Sequence, residues 1–393
     1  MENLWNETEA ASCSSDLDLR VYTSNLLGRS DDLVLHGGGN TSVKSVVEGE
    51  EILFVKGSGW DLVSIKAEGF APVKLEVLKQ MATLERLSDT QMVAQQKAAM
   101  IDKSAPNPSV EAILHAIIPF KFVDHTHADA VVTLSNSLGG EQLISEIFDD
   151  FLIVPYVMPG FVLAQKIHEM TQSGFDWEKC GGIILHNHGI FTFDDDAKRS
   201  YEKMIEAVSR AEAYLDAHAP LQLDEATPKA YPFERLGEAV SKVKGVDVVM
   251  KTDQSPLALT YASKPDLETF ATRGVLTPEH IIRTKRIPMV LEGEDTEAAL
   301  DAYVDAYKAY FNRYATDEVM LNPAPNYAVI KDVGVVMFGK DEKEASVMAD
   351  IVSHTMRAVL RADALGGYRS IGEAESFAME YWELEQAKLK KQE

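Results

Sequence analysis

The sequence predicts an α/β protein with a larger N-terminal domain and a smaller C-terminal one. Three observations predict it. A length of 393 residues corresponds to two domains, or at most three, at roughly 150 residues each. Short apolar runs alternate with segments of helical period. A stretch rich in proline and polar residues, Pro220 to Pro232, interrupts that alternation and divides residues 1–220 from residues 233–393.

The elements follow in order. Asp16 to Leu27 has the period of an amphipathic helix. The three glycines of His36-Gly37-Gly38-Gly39-Asn40-Thr41-Ser42 exclude a helix interior and predict a loop. Val43 to Val47 and Glu51 to Val55 read as a strand pair around Glu48-Gly49, closed by a second glycine loop, Lys56-Gly57-Ser58-Gly59. Pro72 to Leu87 has helical period, and Pro106-Asn107-Pro108-Ser109 is a break with Ser109 as N-cap of a short apolar helix, Val110 to Ile118. Lys121 to Thr126 is a buried strand, and Ile183 to Leu185 and Ile190 to Phe193 are strands flanking His186-Asn187-His188-Gly189. Asp194-Asp195-Asp196 opens a long helix, Ala197 to Ala217, with acids at the positive end of the helix dipole. Beyond the boundary come a strand (Asp247 to Lys251), a loop through Arg273-Gly274, a helix (Ala298 to Tyr314), a strand pair around Val329 to Phe338 and two further helices.

Composition narrows the function. Hydrophobic residues make up 46% and charged residues 25%, the balance of an ordinary globular protein. With 62 acidic and 38 basic residues the formal charge is −24, which argues against nucleic acid or an anionic membrane as partner. A small phosphorylated substrate remains compatible, because local N–H groups and a few basic side chains hold such anions. Two cysteines, Cys13 and Cys180, are too few for a disulfide framework and fit a reducing compartment. There is no apolar run of membrane-spanning length, and Met1 to Asp18 lacks the basic start and apolar stretch of a signal peptide, so a cytoplasmic location is expected.

His125-Thr126-His127 sets two imidazoles two residues apart on a strand, and therefore on one face, roughly 7 Å apart at the backbone. Two such rings can converge on one ion, and a third nitrogen with an open fourth position is the pattern of a catalytic zinc site. His186 and His188 are both candidates for that third ligand, since both follow the apolar strand Gly181 to Leu185, and spacing does not choose between them. Glu111 sits on an otherwise apolar helix, where a carboxylate is a candidate for proton exchange near neutral pH or, more simply, an acid favoured by the helix dipole. Gly38 to Ser42 and Gly57-Ser58-Gly59 could each present N–H groups and hydroxyls to a phosphate, although neither has P-loop spacing. His115, four residues after Glu111, reads as a hydrogen-bonded core histidine.

Together these residues resemble the class II aldolase/adducin family. The matching elements are Gly39-Asn40-Thr41-Ser42, Gly57-Ser58-Gly59, Pro108-Ser109-Val110-Glu111, His125-Thr126-His127-Ala128-Asp129-Ala130 and Asn187-His188-Gly189, in that order along the chain. The chain is most similar to the aldolase part of bifunctional rhamnulose-1-phosphate aldolase/alcohol dehydrogenase proteins. That likeness continues through Leu276-Thr277-Pro278-Glu279-His280-Ile281-Ile282-Arg283-Thr284-Lys285 and Glu380-Tyr381-Trp382-Glu383-Leu384-Glu385. Those proteins carry a further dinucleotide-binding domain; the 393 residues end without it and contain no GxGxxG fingerprint, so no nicotinamide cofactor is expected.

The resemblance implies a three-layer α/β/α domain around a largely antiparallel sheet, followed by a smaller α/β domain. It implies His125, His127 and His188 as ligands of Zn²⁺ or another divalent metal, with the Asn-His-Gly context favouring His188 over His186. It implies Glu111 as the aldolase acid/base, and Asn40, Ser58, Gly59 and Ser109 as substrate or phosphate contacts. Family aldolases often carry serine or threonine just before the glutamate; Val110 stands there and removes one phosphate donor. The implied reaction is cleavage of a ketose or ketose 1-phosphate, rhamnulose-1-phosphate-like, to dihydroxyacetone or its phosphate and an aldehyde, without a Schiff-base lysine. The implied assembly is a homo-oligomer, commonly a tetramer. Rival readings on the same scaffold are a sugar-phosphate 4-epimerase, whose family members usually place aspartate at the Glu111 position, a dehydratase, and a non-catalytic adducin-like module that has lost the ligands. His280, Arg283 and Lys285 form a polar cluster in the C-terminal region that reads as a solvated or interface loop.

Overall fold

The computed structural model describes residues 1–293, 295–384 and 386. Glu385, at the end of the C-terminal matching stretch, and residues 387–393 of the expected second domain lie outside them. The described chain divides into two compact units, residues 1–135 with 139–214 and residues 136–138 with 215–386.

The first unit is built on a sheet of seven strands: β1 (Asn40–Val47), β2 (Glu50–Lys56), β3 (Phe70–Lys74), β4 (Phe122–Thr126), β5 (Leu152–Val154), β6 (Ile183–Leu185) and β7 (Gly189–Asp194). They lie in the order β3-β2-β1-β4-β7-β6-β5. All pairings are antiparallel except β5 with β6. Glu48 and Gly49 both take positive φ (51° and 84°), the backbone that lets a two-residue turn match the twist of β1 and β2.

Strand alternation decides what lies on each face. Thr41 and Val43 of β1 and Phe122 and Asp124 of β4 share one face, because the register pairs Thr41 with Asp124 and Val43 with Phe122. Thr41 shares a 2.8 Å hydrogen bond with Ser24, and Val43 and Phe122 pack with Leu17, Leu19 and Ala197. Asp124 forms a fully buried 2.5 Å ion pair with Arg20 and accepts from Ser200. Helices Asp16–Gly28 and Ala197–His218 therefore cover this face. On the other face Asn40 and Ser42 meet His115 of helix Ala112–Ile117. The result is three layers around a largely antiparallel sheet.

The second unit contains β8 (Val249–Asp253), β9 (Met289–Leu291), β10 (Tyr327–Ile330) and β11 (Gly334–Gly339), ordered β8-β11-β10-β9. Both faces of its central strands are apolar and both are covered. Tyr327, Val329, Val335 and Met337 pack under Met348, Val352, Met356 and Val359 of helix Glu342–Ala364. Ala328, Ile330, Val336 and Phe338 pack against Leu236, Val240, Leu300 and Tyr303 from helices Phe233–Lys244 and Thr296–Tyr314. Among the described residues no helix is long and apolar enough to cross a membrane.

Three expectations shift. Residues 72–74 belong to β3, and the helix covers only Leu75–Ala82. Pro72 fits there because β3 is the terminal strand of the sheet, where a missing N–H is tolerated. Asn40 to Ser42 are strand, not loop, since they pair with β4 residues more than 80 positions away. The helix expected from Val110 begins at Ala112, after a turn in which Ala112 N donates to Ser109 O at 3.0 Å.

Candidate functional site

The register Asn40↔His125 sets the amide of β1 beside the first histidine of β4, on the face toward helix Ala112–Ile117. His127 follows just past the end of β4. The turn between β6 and β7 carries Asn187 at φ 59°, a left-handed conformation that asparagine tolerates. That reversal separates the two remaining candidates. His186 Nδ1 donates to Asn187 Oδ1 at 2.6 Å, whereas His188 joins His125 and His127. One ligand nitrogen from each of these three rings lies within 4.8 Å of the other two.

His125 Nδ1 donates to the backbone carbonyl of Ile190 at 3.0 Å. A neutral ring so fixed leaves its Nε2 bare and facing the other two histidines, the usual second bond of a metal-ligating imidazole. Phe191 stacks beneath His125 with ring centres 4.0 Å apart. His125 Nε2 and His127 Nε2 stand 3.0 Å apart, a separation at which two lone pairs repel unless a proton or cation lies between them. Tetrahedral coordination with Zn–N bonds of about 2.0–2.1 Å would set neighbouring nitrogens about 3.3 Å apart.

The backbone is shaped for this cluster. A Cβ at Gly189 would lie 2.4 Å from Thr126 O, 3.0 Å from His125 Cε1 and 3.1 Å from His127 Cδ2. A Cβ at Gly39 would meet His125 O at 2.6 Å. Both glycines are thus demanded by the close approach of chain to chain around the histidines.

Glu111 occupies the N-cap position of helix Ala112–Ile117, with φ −92° and ψ 9°, the sparsely populated bridge region where many functional residues sit. Its side chain does not face its apolar sequence neighbours. Oε2 accepts from Asn40 Nδ2 at 2.6 Å and lies 3.4 Å from His125 Nε2; Oε1 lies 3.8 Å from His188 Nε2. Oε1 is buried with no hydrogen-bond partner among the described residues. Three imidazoles and a carboxylate from three stretches of chain therefore converge. The donor set of three imidazoles, an adjacent carboxylate and the cradle a Cβ would fill fits a divalent cation.

The expected anion contacts are distributed differently. Ser58 N donates to Asn107 O at 2.8 Å and Ser109 N to Lys56 O at 3.0 Å, so Ser58, Gly59 and Ser109 lie on two loops held side by side. Ser109 Oγ accepts from Glu111 N at 3.3 Å. Ser58 and Ser109 are half-buried and Gly59 is exposed. The hydroxyls of Thr41 and Ser42 are engaged by Ser24 and His115 within the fold. Asn40 sits deeper than these loops, with both ends of its amide bonded to Glu111 and His115. His115 is a fully buried, hydrogen-bonded histidine whose protonation is held well below the usual range, by burial first and then by neighbouring His125. The Asn40–Glu111 and Asn40–His115 bonds escaped sequence reasoning. Only the period-two spacing of Asn40 and Ser42 and the i, i+4 spacing of Glu111 and His115 hinted at them.

The polar cluster of the second unit is not a solvated loop. His280 and Lys285 are buried, and Lys285 Nζ donates to Asn322 O while sitting 3.6 Å from the Tyr307 ring centre. Packing of helices Thr296–Tyr314 and Glu373–Glu380 around this segment removes it from water.

Comparison with known proteins gives one consistent picture. A family model described as Class II Aldolase and Adducin N-terminal domain matches residues 19–215, half the chain, and one described as Aldolase class II, second domain, matches residues 229–389. The N-terminal class II aldolase domain of a conserved protein from Thermoplasma acidophilum is 40% identical, with a TM-score of 0.50 over 55% of this chain and 99% of that one. An l-fuculose-1-phosphate aldolase from Thermus thermophilus is 16% identical, with a TM-score of 0.34 over 51% of this chain and 95% of that one. A Bacillus subtilis protein described as uncharacterized oxidoreductase YuxG is 30% identical over 99% of this chain, which spans 60% of that relative's length. The chain belongs to the class II aldolase and adducin family, whose members are generally enzymes that use a divalent metal.

Proposed function

We propose that the chain is a metal-dependent aldehyde-lyase. In this reading His125, His127 and His188 hold Zn²⁺ or a similar divalent ion, and Glu111 is the acid/base. The substrate is a ketose or ketose 1-phosphate, rhamnulose-1-phosphate-like, and the products are dihydroxyacetone or its phosphate and an aldehyde. The observation that carries the reading is the convergence of three histidine nitrogens within 4.8 Å, with a buried carboxylate oxygen of Glu111 unbonded beside them.

A cation bound there supplies Lewis-acid polarisation of the substrate's oxygens and stabilises the negative charge that develops as the C3–C4 bond breaks. The protein's own groups supply the rest. The Ile190 carbonyl holds the His125 ring in the ligating tautomer. Glu111 takes the proton that the substrate hydroxyl releases as the aldehyde carbonyl forms and delivers it from Oε1 to the carbon that inherits the bonding pair; the steps reverse in the condensation direction. Ser58, Gly59 and Ser109 offer hydroxyl and N–H groups to the far end of the substrate. A homo-oligomer forms part of the proposal.

The test is a panel of ketoses with and without a 1-phosphate, assayed for aldehyde release with Zn²⁺ supplied or chelated. Metal-dependent aldehyde release is expected, and Glu111→Gln should retain zinc yet lose about 10²- to 10⁴-fold in rate. A fully active Glu111→Gln enzyme would refute the role of Glu111. Conversion of the sugar to an epimer without aldehyde would replace the lyase reading by the epimerase one.

A further inference from the structure

The carboxylate of Glu111 is held from behind by a chain of hydrogen bonds, and each bond in that chain has only one sensible direction. The amide nitrogen of Asn40 donates to Glu111 Oε2 at 2.6 Å. The amide oxygen of Asn40 then faces the Nε2 of His115 and accepts a hydrogen bond from its N–H. His115 is fully buried and kept neutral, so a proton on Nε2 leaves Nδ1 bare. Ser42 Oγ, 2.8 Å from Nδ1, therefore donates to it. The line runs Ser42 to His115 to Asn40 to Glu111.

Its effect falls on the geometry of one torsion. The last torsion of a glutamate is broad and roughly twofold, so a carboxylate left to itself samples many planes. Asn40 fixes the plane by holding Oε2, and the opposite oxygen is thereby aimed at the histidine cluster without a partner of its own. The backbone adds a second link, because His115 N donates to Glu111 O at 3.1 Å. Lys44 Nζ in turn donates to the carbonyls of His115, at 3.0 Å, and Phe120, at 2.6 Å, which anchors the helix that carries the ring.

We infer that Ser42, His115 and Asn40 form a one-directional relay that orients Glu111, making His115 and Asn40 positioning residues and Oε1 the proton-carrying oxygen. The inference rests on the acid/base reading of Glu111, and its test separates the two.

Two measurements decide it. The first is the ¹⁵N spectrum of the His115 ring in the metal-free protein, where the Nε2–H tautomer is expected; an Nδ1–H tautomer would overturn the relay whatever Glu111 does. The second uses zinc-loaded enzyme and dihydroxyacetone phosphate in deuterium oxide, with exchange of the carbon-bound proton followed by NMR. His115→Leu should retain zinc, leave the KM for exchange within about twofold and slow its kcat about 10- to 100-fold. His115→Gln, which keeps a donor near the position of Nε2, should restore most of that loss. If His115→Leu exchanges within about threefold of the parent, or loses zinc in proportion to rate, the ring is only structural and the relay falls. If Glu111→Gln exchanges as fast as the parent, the acid/base reading falls instead, and the ring spectrum alone decides the relay.

Discussion

Each unit of the chain buries a set of titratable side chains, and the two sets are organised differently. In the first unit His125, His127, His188 and Glu111 come from three separate stretches of chain and aim at a common point. In the second, Lys285, Tyr307, Glu380 and Tyr381 pack around the Tyr307 ring and hydroxyl, each polar group turned to a partner. Lys285 gives its ammonium to Asn322 O, and Tyr307 bonds Glu380 at 2.9 Å and Tyr381 at 2.8 Å. Burial perturbs the second set. It raises the Glu380 carboxyl above its ordinary range, and it lowers the Lys285 ammonium to about 7, against the opposing pull of Glu380. Perturbed titration by itself therefore does not mark a site. Convergence of lone pairs on one point does, because lone pairs crowded together are stable only around a proton or a cation.

The largest test of that contrast is metal content. His127→Ala should lower bound zinc from about one ion per chain to a small fraction, since two imidazoles and an occupied carboxylate do not make the three-ligand set of a catalytic site. Elemental analysis reads the result, and an unchanged zinc content would remove His127 from the ligand set. Lys285→Met in the same assay should leave zinc unaltered. Next in size is stability. Tyr307→Phe takes the hydroxyl from a buried carboxylate and should cost about 1–3 kcal/mol in denaturant unfolding, with zinc content unchanged. A variant as stable as the parent would mean that these hydrogen bonds contribute little to the second unit.

How much of this was legible in the sequence depends on distance along the chain. The β1–β2 hairpin, the strand ending at His125 and the helix Ala197–His218 could be read locally, because alternation, a Glu-Gly turn and an acidic helix start are all short-range signals. The short strands Leu152–Val154 and Met289–Leu291 were not, since three residues carry no period. Residues 70–74 misled because Pro72 reads as a helix start, and only pairing with β2 makes them a strand. At the site, the histidine pair at the end of β4 was visible from its spacing. The choice of His188 over His186 depended on the left-handed Asn187, which spacing does not reveal. Asn40 beside Glu111 was hidden for the same reason: its neighbours are set by the β1–β4 register.

The smallest expected effects concern pH, and they compare the units directly. Lys44 in the first unit is half-buried and Lys285 in the second is buried, and withdrawal from water lowers each from the ordinary 10.5 to about 7. The unfolded chain keeps its lysines protonated up to about 10.4. Between about pH 7 and 10 the unfolded state therefore binds more protons than the folded one, and stability rises with pH across that window. Below pH 7 both states are charged and the full penalty of burying the ammonium is present. Lys44→Met removes that penalty, so any stability advantage of the variant should shrink by about 1–3 kcal/mol between pH 7 and 9 in denaturant unfolding. A difference independent of pH would mean that Lys44 stays charged through its bonds to the carbonyls of His115 and Phe120. The same comparison for Lys285→Met should show a dependence at least as steep. Replacing the lysine takes the positive neighbour from Glu380, so that buried carboxyl rises further and its ionisation with rising pH also works against the variant.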